Sequence, residues 1–160
     1  MSSHLPQVAR ADFALVGTQQ GFLYSIGGRD GVHDHASCEM LDVVTESWYF
    51  VNPLQRPRSG IAAAYCSGMI FVMGGWRQAE ANIGGLKDVE ALTLSMDNAN
   101  EWLSIAPMHT ARPFPGAAAL KGKIYVLGGR SVTAEVYDPG TNTWNSVASL
   151  TQQRWGPGRS

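Results

Sequence analysis

Arginine is the side chain of this sequence best placed to do chemistry, because its positions recur. Of nine arginines, several fall in a fixed register with tryptophan and glycine. Trp48, Arg58 and Gly74 are separated by ten and sixteen residues, Trp102, Arg112 and Gly128 by the same ten and sixteen, and Trp144 precedes Arg154 by ten again. Two others, Arg29 and Arg130, directly follow a Gly-Gly doublet. A guanidinium is planar and permanently charged, and its fork matches a carboxylate or phosphate with two parallel hydrogen bonds. The recurring arginine has two roles open to it: tying down loop carbonyls, or meeting an acidic ligand. Arg29 and Arg130 lack a recurring partner in sequence, which favours binding for them.

The other reactive residue types carry less. His33, Asp34, His35 and Cys38 could share an ion, but no further ligand follows at a recognisable spacing, so a solvated loop is expected and no metal. Nucleophile elbow, phosphate loop and metalloprotease helix are all absent. The sequence therefore predicts a non-enzyme without a cofactor. Trp76 and Trp155 stand apart from the tryptophan register in loops, where stacking or anchoring a ligand becomes a reasonable role.

Charge is nearly balanced, with a formal net charge of −1 and a pI near 6.4, so no global basic field points to nucleic acid or an anionic membrane. No apolar run approaches the roughly 18 residues of a membrane span, and MSSHLPQVARADF lacks the apolar core of a secretory signal. A cytoplasmic location is expected, or a nuclear one. Cys38 and Cys66 sit in unlike contexts and read as reduced thiols.

The arginines must be positioned by repeated elements. Gly-Gly ends an apolar run three times, as LYSIGGR at 23–29, IFVMGGW at 70–76 and IYVLGGR at 124–130. A period near fifty residues means that each unit is one supersecondary element, stacked on its neighbours to bury its faces. Each unit reads as four short strands, a to d. Strand a is built from small residues (GIAAAY at 60–65, GAAAL at 116–120, and a bulkier ADFALV at 11–16), and strand b ends in Gly-Gly. Strand c is CEML at 38–41, VEAL at 89–92 or AEVY at 134–137, and strand d carries Trp48, Trp102 or Trp144. From the second glycine to the strand c glutamate is eleven, fifteen and six residues in turn, so length varies in the b to c loop. In an antiparallel meander that loop shares one end with the d to a connection. Arg10, Arg56, Arg58, Arg112 and Arg154 fall in d to a positions and Arg29, Arg77 and Arg130 in b to c loops, which places eight arginines at that end. Asp30, Asp34, Glu80 and Asp88 occupy the same loops and could neutralise part of the patch.

Arg in the d to a loop, Gly-Gly after strand b, Glu-x-Tyr-Asp-Pro on strand c and Trp on strand d together resemble the kelch repeat. The fullest copy is Arg112, Gly128, Gly129, Glu135, Tyr137, Asp138, Pro139 and Trp144, while Leu41 and Leu92 replace the strand c tyrosine elsewhere. The resemblance implies an all-β protein of kelch-type β-propeller blades, each a four-stranded antiparallel meander. The expected organisation is a tail at 1–6, blades at 7–54, 55–108 and 109–150, and the first strand of a fourth at 151–160. Such an incomplete arc of three blades leaves blade faces and edges unpartnered, with self-association as the expected consequence. It further implies a protein-interaction module recognising an acidic peptide through Arg29, Arg58, Arg112, Arg130, Arg154, Trp76 and Trp155, as substrate-recognition part of a cullin-type ubiquitin ligase adaptor. Alternatives within the same resemblance are an actin-binding kelch protein and part of a galactose-oxidase-like propeller enzyme.

Overall fold

The computed structural model describes residues 2–95 and 100–151, and three antiparallel sheets account for nearly all of its regular structure. The first contains β1 (Ser2–Ser3), β2 (Ala14–Gly17), β3 (Phe22–Ile26), β4 (Cys38–Asp42) and β5 (Ser47–Val51), in the order β1-β5-β4-β3-β2. The second is the meander β6 (Ala62–Cys66), β7 (Met69–Met73), β8 (Val89–Thr93) and β9 (Trp102–Ile105). The third is β10 (Pro115–Leu120), β11 (Lys123–Gly128), β12 (Ala134–Asp138) and β13 (Thr143–Val147). These are three blades of a propeller, with β6 lying between β2 and β10 where consecutive blades meet. Within the segment expected to be a tail, Ser2–Ser3 pairs with β5 and adds a fifth strand to the first blade. The segment expected to begin a fourth blade, with Arg154 and Trp155, lies outside the described residues beyond position 151.

Alternation along strand b sets the layering. Side chains of a strand point alternately to its two faces. Tyr24 and Ile26 accordingly face the second blade, whose Ile70 and Val72 come to meet them in one buried cluster. Phe71 and Met73 point the other way, to meet Ile124 and Val126 of the third blade in a second cluster. Small residues on strand a, such as Ala62 and Ala64, are what allow the sheets to approach near the axis.

The tryptophans occupy matching registers. Trp48 pairs with Leu41, Trp102 with Leu92 and Trp144 with Tyr137, each two residues beyond the strand c glutamate. Each of the last two reaches the preceding blade: Trp102 Nε1 donates to the Asn52 carbonyl at 2.9 Å, and Trp144 Nε1 to the Ala106 carbonyl at 2.7 Å. An indole buries a large apolar area while its N–H finds a partner, which suits it to a seam between sheets. Trp102 and Trp144 are buried; Trp48 is only half-buried, since no blade precedes it among the described residues.

Gly-Gly has a steric reason at each blade junction. Gly74, at φ 65°, would place a Cβ 2.5 Å from the Arg112 carbonyl oxygen of the next blade. Gly75, at φ 99°, would place one 2.6 Å from the Ser59 carbonyl oxygen of its own d to a loop. Backbone crosses backbone on both sides, and only glycine fits.

Candidate functional site

The recurring arginine builds the floor beneath the loops. Arg58 donates to the carbonyls of Gly74 (3.2 Å) and Asp88 (3.0 Å) and pairs with Glu90 at 2.6 Å. Arg112 repeats this with Gly128 (2.8 Å), Thr133 (2.7 Å) and Glu135 (2.9 Å). Arg10 does so with Gly27 (2.6 Å), Ser37 (2.8 Å) and Glu39 (2.8 Å). The glutamates in turn accept backbone N–H groups of Gln7, Gln55 and His109 three residues before each arginine. Each carboxylate and each terminal guanidinium nitrogen that faces it is thereby hydrogen-bonded, which offsets the cost of burying the ion pair, while Nε is satisfied in Arg112 but buried without an acceptor in Arg10 and Arg58. Burial pushes the Arg58 guanidinium below its ordinary pKa, and the Glu90 carboxylate opposes that shift.

Arg58 and Arg112 were expected on the binding surface as one of two roles, and the geometry gives them the other. Both are 0% exposed, so neither side chain has surface with which to touch a partner. The guanidinium is drawn inward because two loop carbonyls and a carboxylate would otherwise be buried without donors.

The residue after each Gly-Gly behaves differently. Arg29, Trp76 and Arg130 occupy this position in blades one, two and three, so Trp76 shares a register with the two arginines. The first two are fixed by isolated bridges, Arg29 to Ala11 and to Asp34 and Trp76 to Ser59. All three line one cleft of about 240 Å³ together with Gly84, Pro113 and Phe114. The Arg29 guanidinium lies 5.6 Å from the centre of the Trp76 ring, a cation–π contact. It also donates to the Gly31 carbonyl at 3.5 Å. Arg29 and Trp76 are half-buried and Arg130 is exposed.

Phe114 is the cleft residue that sequence reasoning missed. It stands two residues after its blade's arginine, where Asp12 and Gly60 stand in the other blades, and all three positions have left-handed backbone. Its ring lies over Gly60, whose Cβ would come 2.8 Å from it. The signal available was RPF at 112–114 beside RAD at 10–12 and RSG at 58–60: an aromatic where the other repeats keep a small or polar residue.

The acidic residues of the same loops are engaged away from the cleft. Glu80 and Asp88 hold Arg77 at 3.1 and 3.0 Å, so Arg77 is spent within its own blade. Asp34 accepts from Ser59 Oγ at 2.7 Å and from the Gln78 N–H at 2.5 Å, tying the first blade's loop to the second. Asp30 accepts from the backbone N–H groups of His33 and Val32, which hold its carboxyl below the usual range. His33 and His35 each approach Asp30 at 3.9 and 3.8 Å. Among the described residues no group of three or more His, Cys, Asp or Glu is arranged to hold a metal ion, and no helix is long and apolar enough to cross a membrane.

The family model described as the Kelch motif matches residues 13–55 and 111–151, together just over half of the chain. The chain belongs to the kelch family. It is 30% identical over 131 residues to Kelch-like protein 35 of Mus musculus, covering 82% of this chain and 22% of that protein. It is 27% identical over 175 residues to Kelch-like protein 15 of Danio rerio, covering 94% and 28%. Beta-scruin of Limulus polyphemus is 30% identical over 117 residues, covering 69% and 13%. The kelch chain thus spans about a quarter of the length of those kelch-like relatives. Among solved structures, that of YjhT superposes with a TM-score of 0.73 at 16% identity, covering 93% of this chain and 55% of that one. The middle kelch blade falls outside the two matched segments, yet its sheet, its Arg58–Glu90 strap and its Trp102 repeat the flanking blades.

Proposed function

We propose that this kelch segment is a protein-interaction module that takes an acidic peptide segment in the cleft of Arg29, Trp76, Phe114 and Arg130. The observation that carries it is the convergence of the three residues following Gly-Gly, one from each blade, on a single cleft. Two guanidinium groups and two aromatic rings there offer a carboxylate charge-assisted hydrogen bonds and offer its neighbour an apolar face. The buried arginine straps hold the loops beneath, so the cleft is largely formed before a ligand arrives. The likeness to kelch-like proteins supports the wider reading, in which a parent protein uses this surface to select substrates for a cullin-type ubiquitin ligase.

The test is titration of an acidic, aromatic-containing peptide against the chain and its variants. Arg130→Ala should weaken binding by about tenfold or more, equivalent to roughly 1.4 kcal/mol. Raised salt should weaken it further. Lys123→Ala removes a charge at the far end of the third blade, where Lys123 sits 3.5 Å from Asp138, and should change nothing. Equal loss in both variants would mean nonspecific attraction. No loss in either, with folding intact, would place the partner elsewhere.

A further inference from the structure

The seam between the first and second kelch blades carries a link that the next seam lacks. Asp34, half-buried in the b to c loop of the first blade, accepts from Ser59 Oγ at 2.7 Å and from the Gln78 N–H at 2.5 Å, both in the second blade. Gln78 opens the 3-10 helix Gln78–Ile83, which has no side-chain cap of its own. At the next seam Gly85 stands where Asp34 does, because Leu86 donates to Gly75 as His35 donates to Gly28, and Pro113 stands where Ser59 does, one residue past the strap arginine. Glycine has no side chain and proline no hydroxyl, so the link cannot form there. Those two blades dock without it: a Cβ at Gly85 would come 2.6 Å from Pro113 Cδ. An acid at this position is therefore no requirement of blade packing.

What distinguishes the first seam is the Arg29–Trp76 contact that crosses it. Asp34 is joined to Arg29 by a backbone bridge, and Ser59 exchanges backbone hydrogen bonds with Trp76 at 2.8 and 3.0 Å. One carboxylate thus connects the backbone that carries the guanidinium to the backbone that carries the indole, and the cation–π contact at 5.6 Å closes the circuit. Ser59 is 1% exposed, so its hydroxyl has no ready replacement for this acceptor. Asp34 itself does not line the cleft.

We infer that Asp34 is a positioning residue for the cleft: it fixes the spacing of Arg29 and Trp76 and, resting on the binding role proposed above, sets the affinity for an acidic segment. Charge alone would make Asp34 act in the opposite sense. A carboxylate beside a site for carboxylates repels the ligand, so its removal would tighten binding if repulsion were its whole effect. With the link cut, the ligand must itself order the Arg29 and Trp76 side chains, and binding weakens.

The test compares the full chain with Asp34→Ala, Asp34→Asn and Ser59→Ala, first alone and then in titration with an acidic, aromatic-containing peptide. In the chain alone, the indole N–H resonance of Trp76, assigned by its loss in Trp76→Phe, should shift in Asp34→Ala and Ser59→Ala. It should shift less in Asp34→Asn, which keeps an acceptor oxygen. The Trp102 and Trp144 resonances should stay in place, reporting that the blades remain docked. With the peptide, Asp34→Ala should weaken binding by roughly 3- to 10-fold, the cost of ordering one loosened side chain, and Asp34→Asn should recover part of it. Asp30→Asn removes the same charge from the same loop, where Asp30 bonds only to Val32 and His33 N–H groups of its own loop, and should not weaken binding. Binding that is unchanged or tighter in Asp34→Ala, a Trp76 resonance that does not move, or one that moves only together with Trp102 and Trp144 would overturn the inference. If the natural chain binds no acidic peptide, the role proposed for the cleft fails, and the Trp76 resonance alone decides whether Asp34 positions the indole.

Discussion

Glu135→Ala is the substitution on which the account of the buried straps stands most exposed. Glu135 Oε2 accepts from Arg112 Nη2 at 2.9 Å and Nε at 3.2 Å, and the two side chains are 2% and 0% exposed. Removing one partner of a buried pair costs roughly 3–5 kcal/mol, because the other charge is stranded. The lower end applies, since Arg112 keeps the Gly128 and Thr133 carbonyls as acceptors. The backbone N–H groups of His109 and Thr110 also lose their acceptor. Each adds about 1 kcal/mol, at the low end because water can reach this edge beside the exposed His109. The sum is about 5 kcal/mol against a total stability of about 5–15 for an ordinary domain. With an m value of about 2 kcal/mol/M, the urea midpoint followed by tryptophan fluorescence should fall by about 2.5 M, or the variant should be unfolded from the start. Glu135→Gln keeps an acceptor oxygen without the charge and should fall between. A midpoint shift below about 0.5 M for Glu135→Ala, with an unchanged spectrum, would refute the reasoning: Arg112 would then be free to turn outward, and its place in the binding surface would return.

Two further outcomes follow from burial and from backbone approach. Gly74→Ala should destabilise more than Gly68→Ala in thermal unfolding: both have positive φ, but a Cβ at Gly74 meets the Arg112 carbonyl at 2.5 Å while one at Gly68 meets nothing within 4 Å, so only Gly74→Ala should greatly exceed the cost of about 1 kcal/mol that backbone strain alone carries. Burial pushes the Cys38 thiol up from 9.0 to about 11. Between those values the folded chain keeps a proton that the unfolded chain has lost, so stability contributed below pH 9 is lost as pH rises toward 11, by about 3 kcal/mol. Urea midpoints at the two ends of that range should show a steeper fall in the natural chain than in Cys38→Ala.

Where the sequence was legible, the reason is that spacing is set by strand length. Trp48 and Trp102 each stand ten residues before an arginine because the connection from strand d to the next strand a keeps one length, while the turn between strands c and d is three residues longer in the second blade. The carboxylates of the straps were not legible in the same way. Glu39, Glu90 and Glu135 lie across the variable b to c loop from their arginines, at 29, 32 and 23 residues, so no constant interval ties them together. The direction of Arg58 and Arg112 depended on those partners and was left open with them. Ser2–Ser3 pairs with β5 as Ser2 opposite Tyr49 and Ser3 opposite Trp48, a strand that two serines do not announce. For the cleft, the GGR, GGW and GGR triplets already placed Arg29, Trp76 and Arg130 in one register, but Phe114 needed the ring to be seen lying over Gly60.

The straps and the cleft are coupled through one residue per blade. The Arg112 side chain pins its own loop, and its carbonyl accepts the Gly75 N–H of the preceding blade at 2.9 Å. Arg58 does the same for Gly28 at 3.0 Å. The side chain that follows each second glycine, Arg29 or Trp76, is therefore held from two blades, through the Ala11 and Ser59 bridges of its own blade and through the arginine carbonyl of the next. On the function proposed above, that arrangement ties the buried arginines to the cleft although their side chains have no surface in it. A repeat protein of this design keeps the proposed cleft only while consecutive blades remain docked, because Arg29 and Trp76 each follow a glycine whose N–H is held by the next blade.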